Sequence, residues 1–146
     1  MKISKAMKKI SRLKGKISVL STRIELSVSI ISTNAFKENF SDLLVSRATA
    51  INDLNNLKAL VMKTNIEHDK FITVLQLGET KTLLELYKHL TIEDGFVKNG
   101  FSETQTEYKS QLSDKERNNI VDELQQRIND ITDELDTFNA STDLVM

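Results

Sequence analysis

The chain has 146 residues, a formal net charge of −1, no Cys, Pro or Trp, and four Gly. A length of this order fits one domain with a modest core. The lack of Cys excludes a disulfide framework and a thiolate zinc site. Because helix breakers are so scarce, the composition favours long uninterrupted helices.

The charges are unevenly distributed. Eight Lys or Arg and no acid lie between Met1 and Ile24, whereas residues 113–146 hold nine Asp or Glu and three Lys or Arg. A basic start of this kind suits a nucleotide, nucleic acid, an anionic membrane or an acidic helix, and the acidic last helix would neutralise part of it. No apolar run approaches the roughly 18 residues of a membrane span, so no membrane partner is expected.

The strongest periodic signal begins at Ile3. Two rows of residues there repeat every seven positions, which predicts a helix over residues 3–33 with a coiled-coil-like stripe. At 1.5 Å per residue this helix would be about 45 Å long, too long for so small a protein to cover alone, so we expect a partner subunit to cover it. We call this stripe the seam; it consists of Ile3, Ala6, Ile10, Leu13, Ile17, Leu20, Ile24, Ser27 and Ile31.

Three further helices follow. Ser41 and Asp42 are good caps and predict a second helix over residues 41–64, and the segment 71–75 after it reads as a short strand or an extended crossing. A capping-box spacing at Thr82 and Glu85 indicates a third helix over residues 80–97.

Residues 98–112 are polar and predict a loop. A second capping box, Ser113 and Glu116, opens a fourth helix over residues 113–139, again with near-heptad apolar residues. The sequence therefore predicts an all-α protein, a single domain over residues 1–146, built as an elongated helical bundle. Its long first and last helices are expected to form a coiled-coil-like oligomer.

Chemistry-bearing motifs are sparse. The chain has no Gly-x-Ser-x-Gly, no Gly-rich phosphate loop and no plausible Ser–His–acid order. His68 between Glu67 and Asp69 would suit a hard metal, but a solvated turn explains it more simply. We therefore expect a protein that is not an enzyme and that has neither a metal nor a cofactor.

A basic row on the first helix also repeats every seven residues and comprises Lys2, Lys9, Lys16 and Arg23. It suits either ion pairs between helices or an anion site assembled from several protomers. The row lacks interleaved aromatic residues and the whole molecule is slightly acidic, so a nucleic-acid polymer is not expected as a partner.

A candidate ligand site lies around the 98–112 segment, where aromatic rings, amides and cations are close in sequence. A purine would stack on a ring while cations hold its phosphates. Each residue also has a structural explanation, namely packing for Phe101, solvation for Lys109 and Arg117, and an ion pair for Arg127. The candidate residues are Asn99, Phe101, Tyr108, Lys109, Arg117 and Arg127.

Short segments along the chain resemble one family. The opening Met1-Lys2-Ile3, the pair Thr64-Asn65, the segment Thr82-Leu83 and the ending Asn139-Ala140-Ser141-Thr142-Asp143-Leu144 resemble the septicolysin-like helical proteins of bacteria and phages. Ala140 stands where that family has Trp, and Glu107-Tyr108-Lys109 is all that remains of an Arg-rich segment.

The family includes the phage Thoeris anti-defence proteins of the first type, which are oligomeric sponges for signalling nucleotides. The resemblance implies a non-catalytic dimer or hexamer in the cytoplasm of a bacterial host. It would sequester glyco-cyclic ADP-ribose, and in some members cyclic oligonucleotides, and so block Thoeris-type defence. The alternative is a structural or adaptor coiled-coil protein of a phage or bacterium without a small-molecule ligand.

Overall fold

The structure is a computed structural model that describes residues 1–145. About two thirds of the chain is helical, and one two-stranded antiparallel sheet is present in the described part. The mostly helical fold is as predicted, and the sheet is an addition to the predicted all-α class. The elements in chain order are α1 (Ile3–Ser27), α2 (Phe40–Glu67), α3 (Phe71–His89), β1 (Gly95–Lys98), β2 (Gln105–Tyr108) and α4 (Asp114–Ser141).

The chain divides into two compact units. The first contains residues 1–71 together with the C-terminal segment that begins at Asp136, and the second contains residues 72–135. A single domain over the whole chain stays a prediction. No helix in residues 1–145 is both long and apolar enough to cross a bilayer.

In the first unit, α1 and α2 pack as an antiparallel helical hairpin. Ala6 and Ile10 of α1 are buried in one cluster with Leu54 and Leu57 of α2, and Arg47 of α2 donates a hydrogen bond to the hydroxyl of Ser21 near the other end of α1 (2.9 Å). Each of the Ile and Leu side chains contributes roughly 1.5–3 kcal/mol when fully buried. The N-terminal part of the seam is thus covered by α2 of the same chain, and this part needs no partner subunit for its burial.

The first helix is shorter than predicted. It ends at Ser27 rather than near residue 33, so Ile31 of the seam lies outside the helix and is 71% exposed. The cause is local, because the segment after Ser27 is rich in Ser, Thr and β-branched residues, which have low helix propensity. Ser27 also donates its hydroxyl to the carbonyl of Ile24 (3.0 Å).

The second helix starts slightly before its predicted start at residue 41. Asn39, not Ser41 or Asp42, is the N-cap, and its side-chain oxygen accepts from the backbone N–H of Asp42 (3.1 Å). The helix ends at Glu67, and Asp69 just beyond it has a positive φ of 54°, a conformation that Asp tolerates better than most residues. This turn separates α2 from α3.

The prediction for the third helix is wrong at both ends. Residues 71–75 are the first turns of α3 and not a strand, and Thr82 lies inside the helix, where its hydroxyl donates to the carbonyl of Gly78 (3.2 Å). At the other end α3 stops at His89, and residues 95–98 form β1. The capping-box spacing of Thr82 and Glu85 was therefore coincidental, because a helix already in progress has no free N–H groups there.

Part of the predicted 98–112 loop is the β1–β2 hairpin. Phe96 pairs with Glu107, and Lys98 pairs with Gln105. Gly95 and Gly100 have positive φ angles of 79° and 60°, which only Gly adopts at little cost. These two positions allow the chain to enter the hairpin and to turn at its tip.

The fourth helix agrees with its prediction to within two residues at each end. The capping box is confirmed, since Ser113 N–H donates to the carboxylate of Glu116 (2.8 Å) and Glu116 N–H donates to the Ser113 hydroxyl (3.1 Å). These bonds lower the pKa of Glu116. In the second unit Thr80 and Leu84 of α3 and Ile128 of α4 are buried.

Candidate functional site

The tip of the β1–β2 hairpin holds two of the six candidate residues. The side-chain amide of Asn99 donates to the hydroxyl of Thr106 (3.0 Å), and its backbone N–H donates to the carbonyl of Thr104 (3.1 Å). These bonds hold the turn closed. Phe101 is fully exposed, so it is not the packing residue that its structural explanation required, and its ring is available to a ligand or to another protein.

One face of the hairpin carries two possible ligand-binding residues, Phe96 and Lys98, that sequence reasoning missed. Because side chains alternate across a strand and the register pairs Phe96 with Glu107 and Lys98 with Gln105, these four residues share a face, and all four are exposed. Phe96 is 70% exposed. An aromatic and β-branched pair between Gly95 and Gly100 is a hairpin signal that would have found this face.

Three further candidates lie at or after the end of β2. Tyr108 ends the strand opposite Gly95, and Lys109 follows it, exposed. Arg117 serves the fold, since its guanidinium donates to the carbonyl of Leu90 (3.0 Å) and pairs with Asp114 (3.0 Å). It ties the start of α4 to the residue after α3, and its side chain is mostly buried.

Arg127 lies apart from Arg117. Ten residues along one helix separate them by about 15 Å, so the two arginines do not converge on one phosphate. Arg127 is exposed and lines a shallow groove of about 300 Å³ between α3 and α4. The other residues of this groove are Gln76, Glu79, Thr80, Leu83 and Leu124.

The basic row of α1 is only partly paired. Lys2 donates to the carboxylate of Asp143 (2.8 Å), and the Arg23 guanidinium pairs with Glu38. The pKa of Asp143 is lowered, and the largest cause is the hydrogen bond from Lys2. The pKa of Glu38 is lowered chiefly by its hydrogen bond from Arg23. The remaining members, Lys9 and Lys16, have no acidic partner in the described structure.

A second surface that the sequence did not indicate lies where α1 ends and α2 begins. An apolar cavity of about 240 Å³ there is lined by Leu26, Ile30 and Phe36, with the Arg23–Glu38 ion pair among its lining residues. The signal in the sequence that could have found this surface is a run of apolar residues in a segment with poor helix propensity. Outside a helix, such residues have no amphipathic helix face through which to be buried.

The metal hypothesis at His68 gains no support. The ring of His68 packs edge-on against the ring of Phe138, with centroids 5.5 Å apart. Within residues 1–145, no three His, Asp or Glu side chains are grouped in a way that would hold a metal ion. The packing against Phe138 gives His68 a structural role in the first unit.

Comparison of the chain with protein-family models, curated proteins and solved structures found no match.

Proposed function

We propose that this is a non-catalytic protein that sequesters a signalling nucleotide in a pocket completed between copies of the chain. The observation that carries the proposal is the full exposure of Phe101 at the tip of a hairpin. A large apolar ring in water costs free energy, and such a ring is a stacking surface for a nucleobase. The hairpin also presents Phe96 and the cation Lys98, which suit the same ligand.

The chemistry of a nucleotide matches the residues of the hairpin region. A base stacks on an aromatic ring, and its phosphates attract cations such as Lys98 and Lys109. Nucleotide pockets bury most of their ligand, and one exposed hairpin cannot enclose a molecule of this size. We therefore propose that a dimer or a hexamer brings two hairpin regions around each ligand.

We base the proposed ligand on the family resemblance. The septicolysin-like proteins, with the first-type Thoeris anti-defence proteins among them, suggest glyco-cyclic ADP-ribose and cyclic oligonucleotides. Sequestration needs no nucleophile, metal or cofactor. A phage protein acting in this way would work in the cytoplasm of its bacterial host, where it would block Thoeris-type defence.

Calorimetry with cyclic ADP-ribose isomers and cyclic oligonucleotides tests this function. We expect wild type to bind at least one of them, and Phe101→Ala to weaken binding by tenfold or more, because base–aromatic stacking contributes roughly 1–3 kcal/mol. Phe36→Ala is the matched control, since Phe36 is also an exposed Phe but belongs to the first unit. Absence of binding to every one of these nucleotides at micromolar concentration would refute the proposal.

A second candidate function is that of a structural or adaptor protein. It is favoured by the apolar surface at the α1–α2 connection, where Leu26, Ile31 and Phe36 are 74%, 71% and 63% exposed. Exposed apolar patches of this kind mark protein-binding sites. Mass photometry separates the two functions, because an adaptor would form a filament or a hetero-complex, whereas a sponge would form a closed dimer or hexamer.

A further inference from the structure

One side of α1 carries cations without counter-ions. Five residues share this side, and none of them has an acidic partner in residues 1–145. No acid precedes Glu25 in the sequence, and Glu25 is about 13 Å further along the helix than Lys16, so α1 offers these cations no counter-ion. We call this set the cationic face; its members, all exposed, are Lys5, Lys8, Lys9, Arg12 and Lys16.

The spacing makes these five residues neighbours. Positions i, i+3, i+4, i+7 and i+11 lie on one side of an α-helix, and here they extend over about 16 Å. Like charges at i, i+3 and i+4 repel one another and destabilise the helix. The seam, on a different side of α1, is the side that packs on α2. The cationic face is therefore open to a partner, and an anionic one would remove this repulsion.

The same chain carries a surface of opposite charge. On α4 the side turned away from buried Ile128 and Leu135 holds four exposed acids that have no cationic partner among the described residues. From the first to the last of them the helix again spans eleven residues, or about 16 Å. We call this set the acidic face; its members are Asp122, Glu123, Asp130 and Asp133.

We infer that the cationic face of one copy binds the acidic face of a second copy. The two faces have opposite charge and equal length, and each lies on the exposed side of a long helix. Since each copy carries both faces, reciprocal pairing gives a closed two-fold dimer, whereas head-to-tail pairing gives a closed ring or a filament. The inference rests on the self-association in the proposed function but not on its nucleotide.

A nucleic acid is the less suitable occupant of the cationic face. The face has no aromatic residue within it for base stacking. The net charge of −1 also gives no long-range attraction. Association with further copies of the chain satisfies both faces.

The test is a charge swap measured by analytical ultracentrifugation. One variant reverses the cationic face, with Lys5, Lys9, Arg12 and Lys16 each changed to Glu. The other reverses the acidic face, with Asp122, Glu123, Asp130 and Asp133 each changed to Lys. The control reverses four exposed cations elsewhere, with Lys14, Lys37, Lys58 and Lys81 each changed to Glu, so that its net charge equals that of the first variant.

We expect wild type and the control to associate in about 0.1 M salt and to dissociate in about 1 M salt, because the Debye length falls from roughly 10 Å to roughly 3 Å. Each face-reversed variant alone should associate at least about tenfold more weakly, because like charges then meet. An equal mixture of the two should associate again, which excludes misfolding as the cause.

Three results would overturn the inference. The first is that wild type is monomeric in about 0.1 M salt. The second is that the face-reversed variants associate as strongly as wild type does. The third is that the mixture fails to associate although both variants keep their helical circular dichroism. A gel shift of RNA by wild type that is lost when the cationic face is reversed would assign the face to nucleic acid instead. Nucleotide calorimetry on the same samples is a separate measurement, so failure of this interface and failure of the nucleotide proposal are distinguishable.

Discussion

The hydroxyl of Thr64 accepts a hydrogen bond from the backbone N–H of Val145 (3.0 Å) while it donates to the carbonyl of Leu60 (2.7 Å). The Thr64 side chain is fully buried, so one hydroxyl joins the C-terminal segment to α2 in the interior of the first unit. In this buried position, an unpaired hydrogen-bond donor or acceptor would lower the free energy of unfolding by about 1–3 kcal/mol.

Replacing Thr64 with Val tests this relationship. Val keeps the shape but leaves the Val145 N–H without its acceptor, so we expect a loss of about 1–3 kcal/mol in the free energy of unfolding measured in urea. Thr49→Val is the matched control, because the Thr49 hydroxyl also donates to a helix carbonyl (3.0 Å) but is exposed. We expect the control to stay within about 0.5 kcal/mol of wild type, and equal losses in both variants would show that the Val145 contact does not matter.

Arg117 is expected to stabilise the second unit rather than bind a ligand. Arg117→Met keeps most of the apolar stem but removes the donor to the carbonyl of Leu90, which should cost about 1 kcal/mol or more. Arg127→Met is the control, since Arg127 is exposed and has no hydrogen-bond partner in residues 1–145. Thermal unfolding should separate them, and amide exchange next to Leu90 should increase only in Arg117→Met. An unchanged melting temperature in that variant would contradict this role.

Two glycines should respond to the same substitution with opposite signs. Gly15 lies inside α1 with open space around the position of a Cβ atom, so Gly15→Ala should stabilise the protein by about 1 kcal/mol. Gly95 has a φ of 79°, so Gly95→Ala should destabilise the hairpin by about 1 kcal/mol or more. Chemical denaturation checks the sign, and stabilisation by Gly95→Ala would show that the backbone there is not left-handed.

The ion pair of Lys2 with Asp143 should make stability depend on pH in the acid range. The folded pKa of Asp143 is lowered by hydrogen bonds from Lys2 and from the terminal ammonium of Met1, so its contribution is complete above the ordinary Asp pKa of about 3.9 and is lost as the pH falls through the folded pKa.

Asp143→Asn should therefore differ from wild type in unfolding free energy by a constant amount above about pH 5 and by less as the pH falls. Lys2→Met should reproduce part of this pattern, because it removes the largest cause of the shift. A difference between Asp143→Asn and wild type that is independent of pH down to about pH 2 would contradict the ion pair.

The sequence predicted the starts of α1 and α4 closely because their signals are local. The seven-residue repeat from Ile3 and the reciprocal bonds of Ser113 and Glu116 depend only on neighbouring residues. The start of α3 was missed because Phe71 is followed by three β-branched residues, Ile72 to Val74, which suit a strand as well as a helix. Tertiary packing decides between them.

Periodicity identifies an apolar helix face but not what covers it. The seam was assigned to a partner subunit, whereas Ala6 and Ile10 pack on α2 of the same chain, since sequence spacing contains no information about which helix lies opposite. The candidate site has the same limit. Local composition made both Phe101 and Arg117 candidates. Only the structure shows that the ring of Phe101 is exposed, whereas the guanidinium of Arg117 donates to a backbone carbonyl.

Native mass spectrometry tests the central claim most directly. Wild type and Phe101→Ala would be incubated with a lysate of bacteria in which Thoeris-type defence has been activated, repurified under native conditions and weighed intact. The account predicts a wild-type oligomer that carries a bound small molecule with the mass of a cyclic nucleotide, and little of that molecule on Phe101→Ala. Wild type recovered without any bound nucleotide would contradict it.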